Sequence, residues 1–170
     1  LAHLLAAPGG RELAAKKVSR LVMMAGDFSG AQPEYNVKID IPAAQKLARE
    51  WPTPVYWSGF EVGRTIKYPA KSIERDFGAP GHHPVADAYR LYMKMPYDRE
   101  TWDLTAVLYG VRPGDGYLTA SEAGDISIDA KGVTTFHARA GGLHHVLSVN
   151  DIQRARILEA FVWLCTEPRR

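Results

Sequence analysis

One cysteine, Cys165, occurs in 170 residues. That scarcity excludes an internal disulfide and any zinc cage built from cysteines. No apolar run approaches the roughly 18 residues of a membrane-spanning helix. Charge of one sign is lacking too: 21 Lys+Arg stand against 19 Asp+Glu, a net charge of +2. A nucleic-acid or anionic-membrane partner usually leaves a basic footprint, and none is present. Chemical signatures are equally sparse. There is no G-x-x-x-x-G-K-[ST] phosphate loop, and neither Ser58 nor Ser148 sits in a G-x-S-x-G elbow. The histidine pairs His82-His83 and His144-His145 lack the i,i+4 spacing of a helical metal site. Neighbours on a strand point to opposite faces, so His144 and His145 do not converge on one ligand. These histidines and His137 therefore read as surface or structural residues, and Cys165, beside Trp163 and Leu164, as a packed side chain.

What is present is ordinary globular material, 46% hydrophobic and 24% charged. The length suits one domain or a large piece of one. The pattern predicts an α/β sheet. Residues 1–19 read as helix interrupted at Pro8-Gly9-Gly10. Leu21 to Ala25 is a short apolar run closed by Gly26, as in a strand buried on both faces. Asp40 with Pro42 opens a helix that stops before Pro52, and Val55-Tyr56-Trp57 forms a second buried strand. Further helices are predicted over 68–76, His83–Met95 (with Val85, Ala88, Tyr89, Tyr92 and Met93 on its packed face) and Thr101–Val111. Residues 117–149 alternate and are rich in Thr, Val, Ile and Gly, which predicts a β-meander with turns near Glu122–Asp125 and Asp129–Gly132. A last helix runs from Asn150 or Asp151 to about Cys165. The expectation is a partial, open Rossmann-like sheet with flanking helices, a C-terminal meander and a final helix.

Two places hold candidate chemistry. In open α/β sheets ligands bind beyond the carboxyl ends of strands. There the sequence puts Met24, a Gly- and Ser-rich loop, and Glu34-Tyr35-Asn36. A carboxylate and an amide suit a polyol ligand, since one accepts from hydroxyls and the other both donates and accepts. The same residues equally suit a turn that satisfies its own backbone. The other place is Trp102-Asp103, at the start of an apolar helical run. Asp103 reads either as an N-cap or as one oxygen ligand of a hard metal ion.

Taken in order, Val22-Met23-Met24-Ala25-Gly26, Glu34-Tyr35-Asn36-Val37 with Asp40-Ile41-Pro42-Ala43-Ala44, Pro54-Val55-Tyr56-Trp57 and Trp102-Asp103-Leu104-Thr105-Ala106-Val107 resemble the inosine/uridine-type nucleoside hydrolases. The resemblance covers about residues 1–150. It implies hydrolysis of the N-glycosidic bond: ribonucleoside plus water gives ribose and a free base. It further implies a Ca²⁺ site with Asp103 as one ligand, ribose contacts from Glu34 and Asn36, and Met24 in the pocket. Trp102 stands where many members carry a leaving-group histidine. The loop between Met24 and Glu34 is short, with Asp27 or Ser29 left to take over a ribose contact. The family's aspartate-rich metal segment, D-x-D-x-x-x-D-D, is not found in the chain. The expectation is therefore that residues 1–170 form one domain corresponding to the C-terminal part of such an enzyme, inactive alone, with Leu1 already reading as mid-domain. The alternative is a non-catalytic sugar- or nucleoside-binding module. A ribonucleoside or related N-riboside is the expected partner, with no nucleic acid and no membrane. A homo-oligomer and either a cytoplasmic or an exported location stay open.

Overall fold

Leu21–Met24 (β1 below) and Val55–Ser58 (β2) are short apolar runs with no polar face, and each becomes a strand covered on both sides. The computed structural model describes residues 1–30, 32–77 and 83–166. In chain order the elements are α1 (Ala2–Ala6), α2 (Gly10–Lys17), β1 (Leu21–Met24), α3 (Tyr35–Ile39), α4 (Ile41–Glu50) and β2 (Val55–Ser58). Next come α5 (Phe60–Arg64), β3 (Lys67–Tyr68), α6 (Ala70–Arg75), α7 (Pro84–Tyr92), β4 (Arg99–Glu100) and α8 (Trp102–Val111). The chain then forms β5 (Thr119–Ala120), β6 (Gly124–Ile128), β7 (Thr134–Ala138), β8 (His144–Ser148) and α9 (Asp151–Thr166). No helix among the described residues is long and apolar enough to cross a membrane. Gly78 and Pro80, expected to end the helix over 68–76, and His82, just ahead of the helix expected from His83, lie outside the described residues.

The main sheet runs β1-β2-β8-β6-β7. β1, β2 and β8 are parallel, with Met23 opposite Trp57 and Trp57 opposite Val146. β6 and β7 form an antiparallel hairpin, and β6 runs antiparallel to β8. The α/β class and flanking helices agree with the sequence pattern. The C-terminal order differs from a meander: β5 pairs with β8, and β8 enters the sheet between β2 and β6. The physical reason lies in adjacent Val146 and Leu147, which pack into cores on opposite faces and make β8 a central strand.

Alternation along the strands divides the interior. Val22, Tyr56 and Leu147 face a core with Val62, Ile66, Ile73, Leu108, Ile157 and Phe161. Met23, Trp57 and Val146 face a second core with Leu5, Ala14, Leu47 and Trp51. Each fully buried aliphatic side chain contributes about 1.5–3 kcal/mol. Asp40 caps α4 as expected, its Oδ1 accepting from Ala43 N–H at 3.0 Å. The predicted face of α7 is corrected. Val85, Ala88, Tyr92 and Met93 are exposed, Tyr89 packs half-buried against the first core as expected, and Ala86 is the residue that α7 buries fully. The helix ends at Tyr92, short of Met95, so Met93 takes no helical position. Cys165 is half-buried against the first core, and burial pushes its thiol pKa up.

Candidate active site

The chain leaves β1 at Met24 and turns at Gly26, whose φ is +81°. A Cβ there would come within 3.0 Å of Thr134 Oγ1 and of the Phe28 ring, so both conformation and space require glycine. Three successive backbone N–H groups of this turn donate to side chains from three distant places. Gly26 N–H donates to Glu34 Oε2 at 3.1 Å. Asp27 N–H donates to Thr134 Oγ1 at 3.1 Å, and Phe28 N–H to Glu61 Oε2 at 3.2 Å. The Gly26 carbonyl accepts from Phe60 N–H at 2.8 Å. Burial pushes the Glu61 carboxyl pKa up from 4.5, the largest of its influences.

Glu34 is the N-cap of α3. Its Oε1 accepts from Asn36 N–H at 2.9 Å, and its Oε2 accepts from Val37 N–H at 3.2 Å as well as from Gly26. At 6% exposure the carboxylate is spent largely on backbone, as the turn reading of this residue expects. Asn36 Nδ2 donates to Met24 O at 3.2 Å and contacts Met24 Sδ at 3.1 Å. These bonds orient the amide against the end of β1 and do not use its oxygen.

Trp102 and Asp103 open α8. The cap position belongs to Thr101, whose hydroxyl donates to Ile66 O at 2.9 Å, and Asp103 sits one residue into the helix without a capping bond. The N-cap reading of Asp103 is corrected accordingly. Thr105 Oγ1 donates to Trp102 O at 2.7 Å. Its single proton is then used, so the 2.6 Å contact with Ser58 Oγ has Ser58 as donor. That chain of hydroxyls fixes α8 to the carboxyl end of β2. Gly63 lets α5 approach, since a Cβ there would strike the Trp102 backbone. The indole Nε1 donates to Phe60 O at 3.1 Å, and the two rings stack with centroids 5.5 Å apart at 20°. Cations flank the pair: Arg64 lies 5.7 Å over Phe60, and Arg99 lies 5.9 Å over Trp102 and 4.2 Å over Tyr92.

Met24, Glu34, Asn36, Trp102 and Asp103 all line one cavity of about 480 Å³. Asp27, Gln32, Pro33, Tyr35 and Phe60 complete its wall. Phe60 was not singled out in the sequence, although its place just beyond β2 is where the strand-end rule directs attention. No histidine among the described residues lines the cavity. His144 and His145 face opposite sides of β8, toward Trp57 and Tyr56. His137 bonds Ser127 across the hairpin at 2.9 Å.

No protein-family model matches the chain, and no curated protein matches it in sequence. Among solved structures, a plant nucleoside hydrolase, PpNRh1, superposes with a TM-score of 0.72 at 18% identity. The fold is similar to that of a nucleoside hydrolase. The match takes in 98% of this chain, and the chain spans 58% of that protein's length. At this identity the likeness concerns the fold.

Calcium fits the residues poorly. Ca²⁺ takes about six to eight oxygen ligands. Among the described residues no group of three or more His, Cys, Asp or Glu could hold a metal ion. Asp103 offers one exposed carboxylate, while Glu34 is committed to backbone N–H groups.

Proposed function

We propose that this protein binds a ribonucleoside or related N-riboside in the cavity beyond β1 and β2, and that the protein these 170 residues belong to hydrolyses its N-glycosidic bond. The observation that carries this reading is the meeting of Met24, Glu34, Asn36, Trp102 and Asp103, far apart in sequence, on one cavity of a nucleoside-hydrolase-like fold.

In this reading Asn36 offers its amide oxygen to a sugar hydroxyl, and Glu34 holds the shape of the sugar-binding wall. Trp102 flanks the leaving base and presents a flat aromatic surface to it. Such stacking adds about 0.5–1.5 kcal/mol beyond burial. Its Nε1 proton is already given to Phe60 O, so Trp102 positions the base and does not protonate it. Asp103 places negative charge near a glycosidic carbon that becomes oxocarbenium-like as the bond breaks. The donor shortage at Asp103 supports the further proposal that residues 1–170 are the C-terminal part of the catalytic domain and do not turn over alone.

A second reading, a nucleoside-binding module without catalysis, is favoured by that same shortage of metal donors. Base release from a panel of ribonucleosides, followed chromatographically with and without Ca²⁺, separates the two. It is run on the 170-residue chain and on the longest form its gene encodes. Calcium-dependent release by the longer form supports the hydrolase, whereas binding without release by either form supports the module.

A further inference from the structure

Glu34 is the carboxylate that the sequence nominates for sugar hydroxyls, yet both its oxygens already accept from backbone. Asp27 lines the same cavity under different circumstances. Its Oδ1 accepts from Ser29 N–H at 2.9 Å and from Ser29 Oγ–H at 2.8 Å. Its Oδ2 has no hydrogen-bond partner among the described residues. A carboxylate oxygen is an acceptor only, and it makes its strongest neutral contacts with hydroxyls and amides.

The position of Asp27 is set from far away. Thr134, on β7, is 4% exposed and makes reciprocal bonds with the Asp27 backbone. It accepts from Asp27 N–H at 3.1 Å and donates to Asp27 O at 3.3 Å. The neighbouring N–H groups are held by Glu34 and Glu61, so the residue is fixed on either side. The backbone that carries the Asp27 side chain is thus anchored, and Ser29 holds the carboxylate itself at Oδ1.

Resting on the ribonucleoside reading above, we propose that Asp27 is the carboxylate that accepts a hydrogen bond from a ligand sugar hydroxyl, with Thr134 of the β6–β7 hairpin as its positioning residue. Ser29 then serves as the clamp that turns the Asp27 carboxylate, not as a ligand contact.

The test measures the affinity of the 170-residue chain for inosine and for hypoxanthine by calorimetry, in wild type and in Asp27→Ala, Asp27→Asn, Thr134→Val, Thr134→Ser and Asn36→Ala. Thermal unfolding checks that each variant is folded. Asp27→Ala is expected to weaken inosine roughly 10- to 100-fold, the scale of a hydrogen bond to a charged group, and to leave hypoxanthine unchanged. Asp27→Asn, which keeps an acceptor oxygen, is expected to lose less. Thr134→Val is expected to weaken inosine alone and to speed deuterium exchange of the Asp27 amide, with both effects reversed in Thr134→Ser. Unchanged inosine affinity in Asp27→Ala, with a loss in Asn36→Ala, overturns the proposal and leaves the ribonucleoside reading standing. Equal losses for inosine and hypoxanthine in Asp27→Ala overturn it as well. Absence of inosine binding both in the wild-type chain and in the longest form its gene encodes overturns both.

Discussion

The Trp57 indole donates its Nε1 proton to His144 Nδ1 at 2.9 Å, in the middle of the sheet. With Nδ1 accepting, the imidazole carries its proton on Nε2, which donates to Ala48 O at 2.9 Å. The neutral ring thus ties β2, β8 and α4 together, and each of its nitrogens has one partner.

This bonding predicts acid sensitivity. Burial pulls the His144 pKa below its ordinary 6.5. In acid the unfolded imidazole takes up a proton near that value before the folded one does. Stability conferred by the neutral ring is present above about pH 6.5 and is lost as pH falls toward the folded pKa. The slope for one proton is at most about 1.4 kcal/mol per pH unit. Urea denaturation between pH 5 and 8 should show a shallower dependence in His144→Gln, whose amide can accept from Trp57 and donate to Ala48 without titrating. An unchanged slope would remove His144 from the account.

Glu61 carries the opposite sign. Its carboxyl pKa is raised by burial, so the folded state holds its proton to a higher pH than the unfolded state. The stabilisation from that proton is complete below about pH 4.5 and fades as pH rises through the folded value. Glu61→Gln keeps an oxygen for Phe28 N–H. It should gain stability relative to wild type on going from pH 4 to pH 7, and a constant difference across that range would contradict the assignment.

Glu34 should matter to stability as much as to ligands. Glu34→Ala strips acceptors from the N–H groups of Gly26, Asn36 and Val37. Loss of a cap together with buried unpaired donors is expected to cost about 2–4 kcal/mol in equilibrium unfolding. A cost below 0.5 kcal/mol would mean that water replaces the carboxylate at all three donors.

Trp102 should act on the base and not on the sugar. Trp102→Ala removes the ring stacked on Phe60 and one wall of the cavity. Affinities for a ribonucleoside and for its free base are both expected to fall roughly 2- to 10-fold, while that for ribose stays level. A loss confined to ribose would reverse the orientation of the ligand.

Much of this was legible in the sequence, for identifiable reasons. The runs Leu21–Met24 and Val55–Ser58, with Asp40-Ile41-Pro42 between them, carry local signals of strand, cap and helix strong enough to set the parallel core. Glu34, Asn36, Trp102 and Asp103 stood out by residue type and order, and they do line one cavity. What escaped was non-local. The entry of β8 between β2 and β6 depends on pairing across the whole chain, which turn signals cannot report. α3 and α5, each five residues long, are too short for helical periodicity to register. Thr134 carries no motif, and its role exists only because the hairpin brings it to Asp27.

That last contact joins residues 107 positions apart. Closing a loop of that length costs about 4 kcal/mol in chain entropy, so the link forms only after the sheet around it has begun to repay the loss. During synthesis, the residues lining the cavity, from Met24 to Asp103, all precede Thr134 in the chain. A growing chain can therefore possess all of the cavity's wall and still lack the finished turn, until the hairpin arrives and locks Asp27 in place.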